Sequence, residues 1–356
     1  MKTVRRIISK EQNLSVSSSF SIENVDIPVP GKNEVLVEVR ACGLSLVNQK
    51  VITEVFQNQP RETFSVGQDV SGVVSKVGDD VSNFSVGEEV VGILPLDSKY
   101  SGCAEFCVFN QYDMVKKPPM LSHEAAAAGI GDCMKAYTAL HYQAKVCGGD
   151  TVLVIDGATP FGNVAVQLAR IWGAKVIATV SSQEEKSYLE TLQPPLGQII
   201  ELNQRNNILI SSLMEETGGV GVDVIVDNGV RMFINEEDVK LMSERYPRPV
   251  PHKNDIISCL GIGGKWITSQ MDLQLDPPDS QQLFLRGASI SFLFEQAWTL
   301  SYAQQGRYQH ILLDAIEKMD RGIIKCKIAR TVSLEESVEA VKQLQDQSVG
   351  KVVMVR

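Results

Sequence analysis

The stretch TVLVIDGATPFGNVAVQLARIWG, residues 151–173, decides the fold. TVLVI (151–155) is a short unbroken apolar run, the pattern of a strand buried on both faces of a parallel sheet. A tight turn follows. Apolar residues at Val164, Ala165, Leu168, Ala169 and Trp172 then recur with helical period over Phe161–Trp172, and Gly173 stands where such a helix ends. Downstream, KVIATV (175–180) reads as the next strand, and Ser182 with Glu185 has the spacing of a capping box that opens another helix. VDVIVD (222–227) and KWIT (265–268) read as further strands. Strands alternating with helices at this spacing predict a doubly wound α/β domain.

The turn itself carries chemistry. A helix that opens directly after a buried strand presents unpaired N–H groups and a positive dipole end, which stabilise an anion such as a dinucleotide's diphosphate. Gly157 and Gly162 stand at the first and third glycine places of G-x-G-x-x-G, while Thr159 occupies the middle place and Pro160 removes one N–H. Two readings follow. In one, Gly157, Thr159, Phe161 and Gly162 hold the cofactor. In the other, Thr159 caps the helix, Pro160 fills its first position, and the protein occupies its own anion site.

The second strand ends Thr179-Val180-Ser181-Ser182 with no acid before Glu184, so Ser181, Ser182 and Lys186 suit a 2′-phosphate and favour NADP over NAD. Against this, Ser182 would only cap its helix and Lys186 would be solvated. Asp227, closing VDVIVD, is a further candidate for cofactor binding.

Away from this core the pattern changes. In the first third, Glu34–Arg40, Val70–Val77 and Glu89–Ile93 cluster β-branched residues between Gly, Asp and Asn breakers. Pro118-Pro119 closes that part, and Ser122 leads into a helical AAAAGIGDCMKAYTALHY (125–142). Near the end, Ser333 and Glu336 form a second capping box ahead of an apolar face at Leu334, Val338, Val341 and Leu344, and KVVMV (351–355) reads as a strand. Residues 231–254, with Pro247, Pro249 and Pro251, and residues 272–280, with Pro277-Pro278, read as loops or insertions.

Composition bounds the rest. The 356 residues are 44% hydrophobic and 22% charged with a net charge of −9, which favours two ordinary domains and argues against binding driven by phosphate neutralisation of nucleic acid. No apolar run reaches the roughly 18–20 residues of a membrane span. MKTVRRIISKEQ has no apolar region behind its basic residues, so no secretory signal is expected. Seven scattered cysteines are an odd number, which suits reduced thiols in the cytosol. Tyr112 and Lys116 match Y-x-x-x-K but lie in a β-like run, and Thr217–Gly221 precedes a strand, the wrong end for a phosphate cradle. His123, His141, His252 and His310 show no metal spacing.

VRACGLS (39–45), VGQDVSGVV (66–74), FSVGEEVVG (84–92), GCAEF (102–106), KAYTAL (135–140), TGGVGVDVIVD (217–227) and GKVV (350–353) occur in one order along nearly the whole chain. Together they resemble the medium-chain dehydrogenase/reductase superfamily, in its zinc-free quinone oxidoreductase (zeta-crystallin) branch. The resemblance implies a GroES-like catalytic domain over 1–124, completed by 298–356, and a Rossmann dinucleotide-binding domain over 125–297, with the substrate cleft at their junction and a dimer or tetramer as the assembly. It implies NADPH-dependent reduction of quinones or activated enones by hydride transfer. Ser45, Gln68 and Gly131 stand where zinc alcohol dehydrogenases carry metal ligands, so no metal is expected. Ser45 and Lys50 stand where the family places an Asn and a Tyr, with Asn48 between them. These three are the catalytic candidates, against a reading in which Ser45 is a buried turn hydroxyl and Lys50 a surface charge. Within the branch, the 231–254 insertion and LDPPDS (275–280) recur in one group. Its members are implied as subunits of a small-GTPase effector assembly on early endosomes, so the alternative is a fold kept for protein binding. No direct nucleic-acid binding and no membrane insertion are expected.

Overall fold

Val152, Leu153 and Val154 are wholly buried, as an apolar run without polar alternation requires of a central parallel strand. The computed structural model describes residues 1–10, 16–47, 49–56, 63–202, 208–232, 249–344, 347 and 349–356. The chain divides into two units, Met1–Met134 with Glu295–Arg356, and Lys135–Phe294.

The first unit holds β1 (Lys2–Lys10), β2 (Val16–Asn24), β3 (Glu34–Leu44), β4 (Thr63–Ser65), β5 (Asp69–Val77), β6 (Glu89–Ile93), β7 (Phe106–Asn110) and β8 (Met114–Lys116). The second holds β9 (Thr151–Val154), β10 (Lys175–Val180), β11 (Gln198–Glu201), β12 (Val222–Asp227), β13 (Leu260–Thr268) and β14 (Ser289–Phe292). The chain then returns to the first unit with β15 (Ile328–Val332) and β16 (Lys351–Val355).

In the first unit, β15-β16-β3-β5-β6-β8 form one sheet, with β7 also on β3, and β2-β1-β4 form a second. Val35, Val37 and Val39 of β3 meet Val70 and Val74 of β5, Val90 of β6 and Met354 of β16 in one buried apolar cluster. Each such side chain contributes about 1.5–3 kcal/mol relative to exposure.

The second unit is the expected doubly wound sheet, ordered β11-β10-β9-β12-β13-β14 with all pairs parallel. Connections leave β9 toward β10 on one side and enter β12 on the other, so the sheet reverses direction between β9 and β12. Ligands of such sheets bind at that reversal, outside the carboxyl ends of the strands.

The helix Pro160–Ile171 buries every residue from Phe161 to Ala169. It ends on Gly173 at φ +86°, with the Ala174 N–H donating to the Ala169 carbonyl at 3.0 Å, the 6→1 bond of a Schellman stop.

Several elements differ from the sequence expectation. Residues 277–286, expected to begin in a loop, are a helix with both prolines in its first turn. The missing N–H groups cost nothing at that position, and the Asp276 N–H donates to the Asp279 carboxylate at 3.0 Å. The Ser333–Glu336 box is present, with the Glu336 N–H on Ser333 Oγ at 3.3 Å and the Ser333 N–H on the Glu336 carboxylate at 2.8 Å, yet the helix begins only at Ser337. KWIT is the end of a longer strand, β13. Within the 231–254 insertion, residues 233–248 lie outside the described part, and His252 opens a helix at Lys253–Cys259. Cys103 precedes the strand that carries Cys107, and both are buried.

Candidate cofactor and substrate sites

The turn after β9 is built by close approach. A Cβ on Gly157 would come within 2.7 Å of the Ala178 Cβ, and one on Gly162 within 2.2 Å of the Asp156 carbonyl oxygen. Only glycine lets strand, turn and helix pack at this separation. Asp156 itself takes a left-handed φ of +56°. Its N–H donates to Thr179 Oγ1 at 2.9 Å, and the Gly157 N–H donates to the Thr179 carbonyl at 2.9 Å.

Thr159 caps the helix. Its Oγ1 accepts the Gly162 N–H at 3.2 Å and donates to the Asp156 carbonyl at 2.7 Å, while its carbonyl accepts the Asn163 N–H at 2.8 Å. Pro160 has no N–H, so among the first-turn donors the Phe161 N–H is the one that helix geometry leaves over. The capping reading holds: the protein takes one donor with its own side chain, by a long bond, and leaves another together with the positive end of a twelve-residue helix. A diphosphate fits this remainder.

At the end of β10 the Ser181 hydroxyl is engaged within the protein. Ser181 donates its N–H to the Glu185 carboxylate at 2.8 Å and its hydroxyl at 3.1 Å. Ser182 Oγ accepts the Glu185 N–H at 3.3 Å. The box is thus shifted, because the buried Glu185 side chain reaches past Ser182 to Ser181. The half-buried Lys186 is the cation on this turn.

Asp227 is fully buried. Its carboxylate accepts from Trp266 Nε1, from Thr268 Oγ1 at 2.8 Å and from the Gly229 N–H at 2.7 Å. Burial pushes its carboxyl up to about 6 against these three donors. Asp227 therefore braces the carboxyl end of β12 against β13. Apolar periodicity gave no sign of this role, since it treats a strand-end carboxylate as exposed.

In the first unit a small open pocket is lined by Phe20, Ser45, Ile52, Phe64, Gln68 and Leu96 among others. Ser45, which directly follows β3, is one of its lining residues. Asn48 lies outside the described residues, and Lys50 falls in the helix Gln49–Val55. Gln68, not singled out as catalytic from sequence, donates through its amide to the Leu94 carbonyl at 3.1 Å and accepts from Gln296 at 3.2 Å. A Cβ on Gly131 would fall within 2.3 Å of the Asp69 carboxylate. Among the described residues, no three His, Cys, Asp or Glu side chains gather as metal ligands, and no helix is long and apolar enough to cross a membrane. Burial pushes the Cys103 thiol up to about 12 and raises Cys42 and Cys107 as well, so none of the three is a thiolate at neutral pH.

The comparisons with known proteins agree with this architecture. Residues 31–147 match the alcohol dehydrogenase GroES-like domain. Quinone oxidoreductase-like protein 1 of Mus musculus is 42% identical over 329 residues, 91% of this chain and 92% of that protein. Quinone oxidoreductase of Homo sapiens is 28% identical over 220 residues, 62% of this chain and 64% of that protein. Among solved structures, the quinone oxidoreductase of Escherichia coli complexed with NADPH superposes with a TM-score of 0.76 at 19% identity over the whole of both chains. The chain belongs to the medium-chain dehydrogenase/reductase family of oxidoreductases. Within that family its kinship is with the quinone oxidoreductase-like proteins.

Proposed function

We propose that this protein is an NADPH-dependent, zinc-free reductase of quinones or activated enones. The observation that carries the reading is the glycine-tight turn at 156–162, set at the reversal point of the parallel sheet with a first-turn donor and a helix dipole left over. The Phe161 N–H would hold the diphosphate, with Gly157 and Gly162 keeping the turn close enough for it to approach, and Lys186 would hold the 2′-phosphate. When bound, the cofactor supplies a hydride. The protein's own contribution is placement and charge: Ser45 lines the first unit's pocket with Phe20, Ile52 and Phe64, and its hydroxyl donates to the oxygen on which negative charge develops. Such a reaction needs no Lewis acid, which agrees with a glutamine and a glycine where ligands would stand.

The test is cofactor binding followed by turnover. Saturable enhancement of NADPH fluorescence, oxidation of NADPH that depends on an added quinone, and loss of both in Gly162→Asp are expected. Absence of binding at millimolar NADPH overturns the proposal. A second reading, a fold kept as a subunit of a protein complex, draws on Thr159 and Pro160 already occupying part of the anion site. Co-purification in a stoichiometric complex, without turnover, would support it instead.

A further inference from the structure

The crevice between the carboxyl ends of β9 and β12 contains a cation that the glycine fingerprint does not require. Lys135, in the last turn of the helix His123–Tyr137, donates to Asn228 Oδ1 at 2.7 Å. The same ammonium lies 4.6 Å from the centroid of the Phe161 ring. Asn228 directly follows β12, and Phe161 belongs to the first turn of the helix after β9, so Lys135 spans the two loops that flank the reversal point.

Its anchors are neutral: an amide oxygen and an aromatic face, the latter a modest attraction. Among the described residues no carboxylate lies within ion-pair distance of it, and the buried Asp227 feels its charge only from further away. An ammonium has three protons to donate and Asn228 accepts one. A macrodipole role does not explain the placement, because the chain continues from Tyr137 into a π-helical segment, Thr138–Ala144, and the helical run does not end at Lys135.

We infer that Lys135 is a binding residue for the cofactor's diphosphate, replacing the attraction lost where Thr159 and Pro160 stand in for loop donors. The inference rests on the reading that a dinucleotide binds at this turn. Phe161 and Asn228 together fix the ammonium, and its remaining protons are left to donate to a phosphate oxygen.

The test measures dissociation constants by NADPH fluorescence on the full chain, with ADP-ribose and adenosine 2′-monophosphate as competitors. Lys135→Met should weaken NADPH and ADP-ribose about 10- to 100-fold, the worth of a charge-assisted hydrogen bond. Adenosine 2′-monophosphate, which has no diphosphate, should bind as before, and Lys135→Arg should recover most of the loss. Lys135→Gln serves as a second variant if the methionine protein does not fold. If wild type binds NADPH and the variants bind it equally well, Lys135 is not a contact and the reductase reading stands without it. If the variants bind more tightly, Lys135 is a plug and the inference is overturned. If wild type does not bind NADPH at all, both readings fall.

Discussion

Residue 159 sets the balance between the two uses of the turn. A threonine at an N-cap satisfies one helix donor with its own side chain, and here that donor is the Gly162 N–H, which an incoming phosphate oxygen would also seek. Gly157 and Gly162 were legible in the sequence as a pair because close packing leaves no alternative to glycine at either place. The roles of Ser181 and Asp227 were not legible: which partner a hydroxyl or carboxylate finds depends on Glu185 and Trp266 arriving from other positions in the fold. Replacement of a threonine cap by glycine costs only about a few tenths of a kcal/mol, and Thr159 has an extended backbone that glycine adopts freely. Thr159→Gly is therefore expected to lower stability slightly in urea unfolding while tightening NADPH several-fold in fluorescence titration. Unchanged or weaker affinity would show that the threonine is not what limits the site.

Elements were read well where apolar period spoke alone and poorly where one residue type carries two meanings. β6, β10 and β12 have the bounds the sequence suggested, whereas Pro277-Pro278, taken as a loop signal, serves equally well in a helix's first turn. β1 and β2 went unread, since Lys2–Lys10 and Val16–Asn24 mix polar and apolar residues along strands of a small sheet. The helix Lys253–Cys259 shows how a cap can respond to pH. His252 Nδ1 accepts the Asn254 N–H at 3.1 Å, so Nε2 carries the proton and faces the Met232 carbonyl at 3.2 Å. Burial holds the imidazole below its ordinary range despite the pull of the Met232 carbonyl and Asp255. A base depressed in the folded state favours folding above its unfolded pKa, and the benefit is lost as pH falls below about 6.5 toward the folded value. His252→Asn keeps an acceptor that does not titrate. Its unfolding free energy should fall less steeply than wild type between about pH 7 and 5, and equal slopes would rule this cap out as a contributor.

The whole first unit depends on its last residues. β16 enters between β15 and β3, pairing Val352 with Leu44 and Val355 with Ala41, so its sheet closes only when the C-terminus arrives. At that junction the buried Lys351 ammonium sits 3.3 Å from Asp69 and 3.0 Å from Asp132, joining the last strand to the start of β5 and to the helix His123–Tyr137. The sequence showed GKVV only as a closing strand, because neither carboxylate is near it in the chain. Burial pushes the Asp69 carboxyl up to about 6 even with Lys351 beside it, while the two carboxylates hold the ammonium charged despite its own burial. Removing one partner of a buried ion group costs about 3–5 kcal/mol, because the remaining charge keeps its desolvation penalty. Lys351→Met should lose that much in urea unfolding at about pH 8, where Asp69 has no proton to neutralise it. Without the ammonium, the folded-state Asp69 carboxyl rises further above its unfolded value, so the variant's deficit shrinks as pH falls toward about 5 and the folded form takes up the proton. Asp69→Asn in the Lys351→Met background should recover part of the loss at pH 8 and little at pH 5. A deficit that does not change with pH would mean that Lys351 acts through packing of its stem, and the ionic account of the junction would be abandoned.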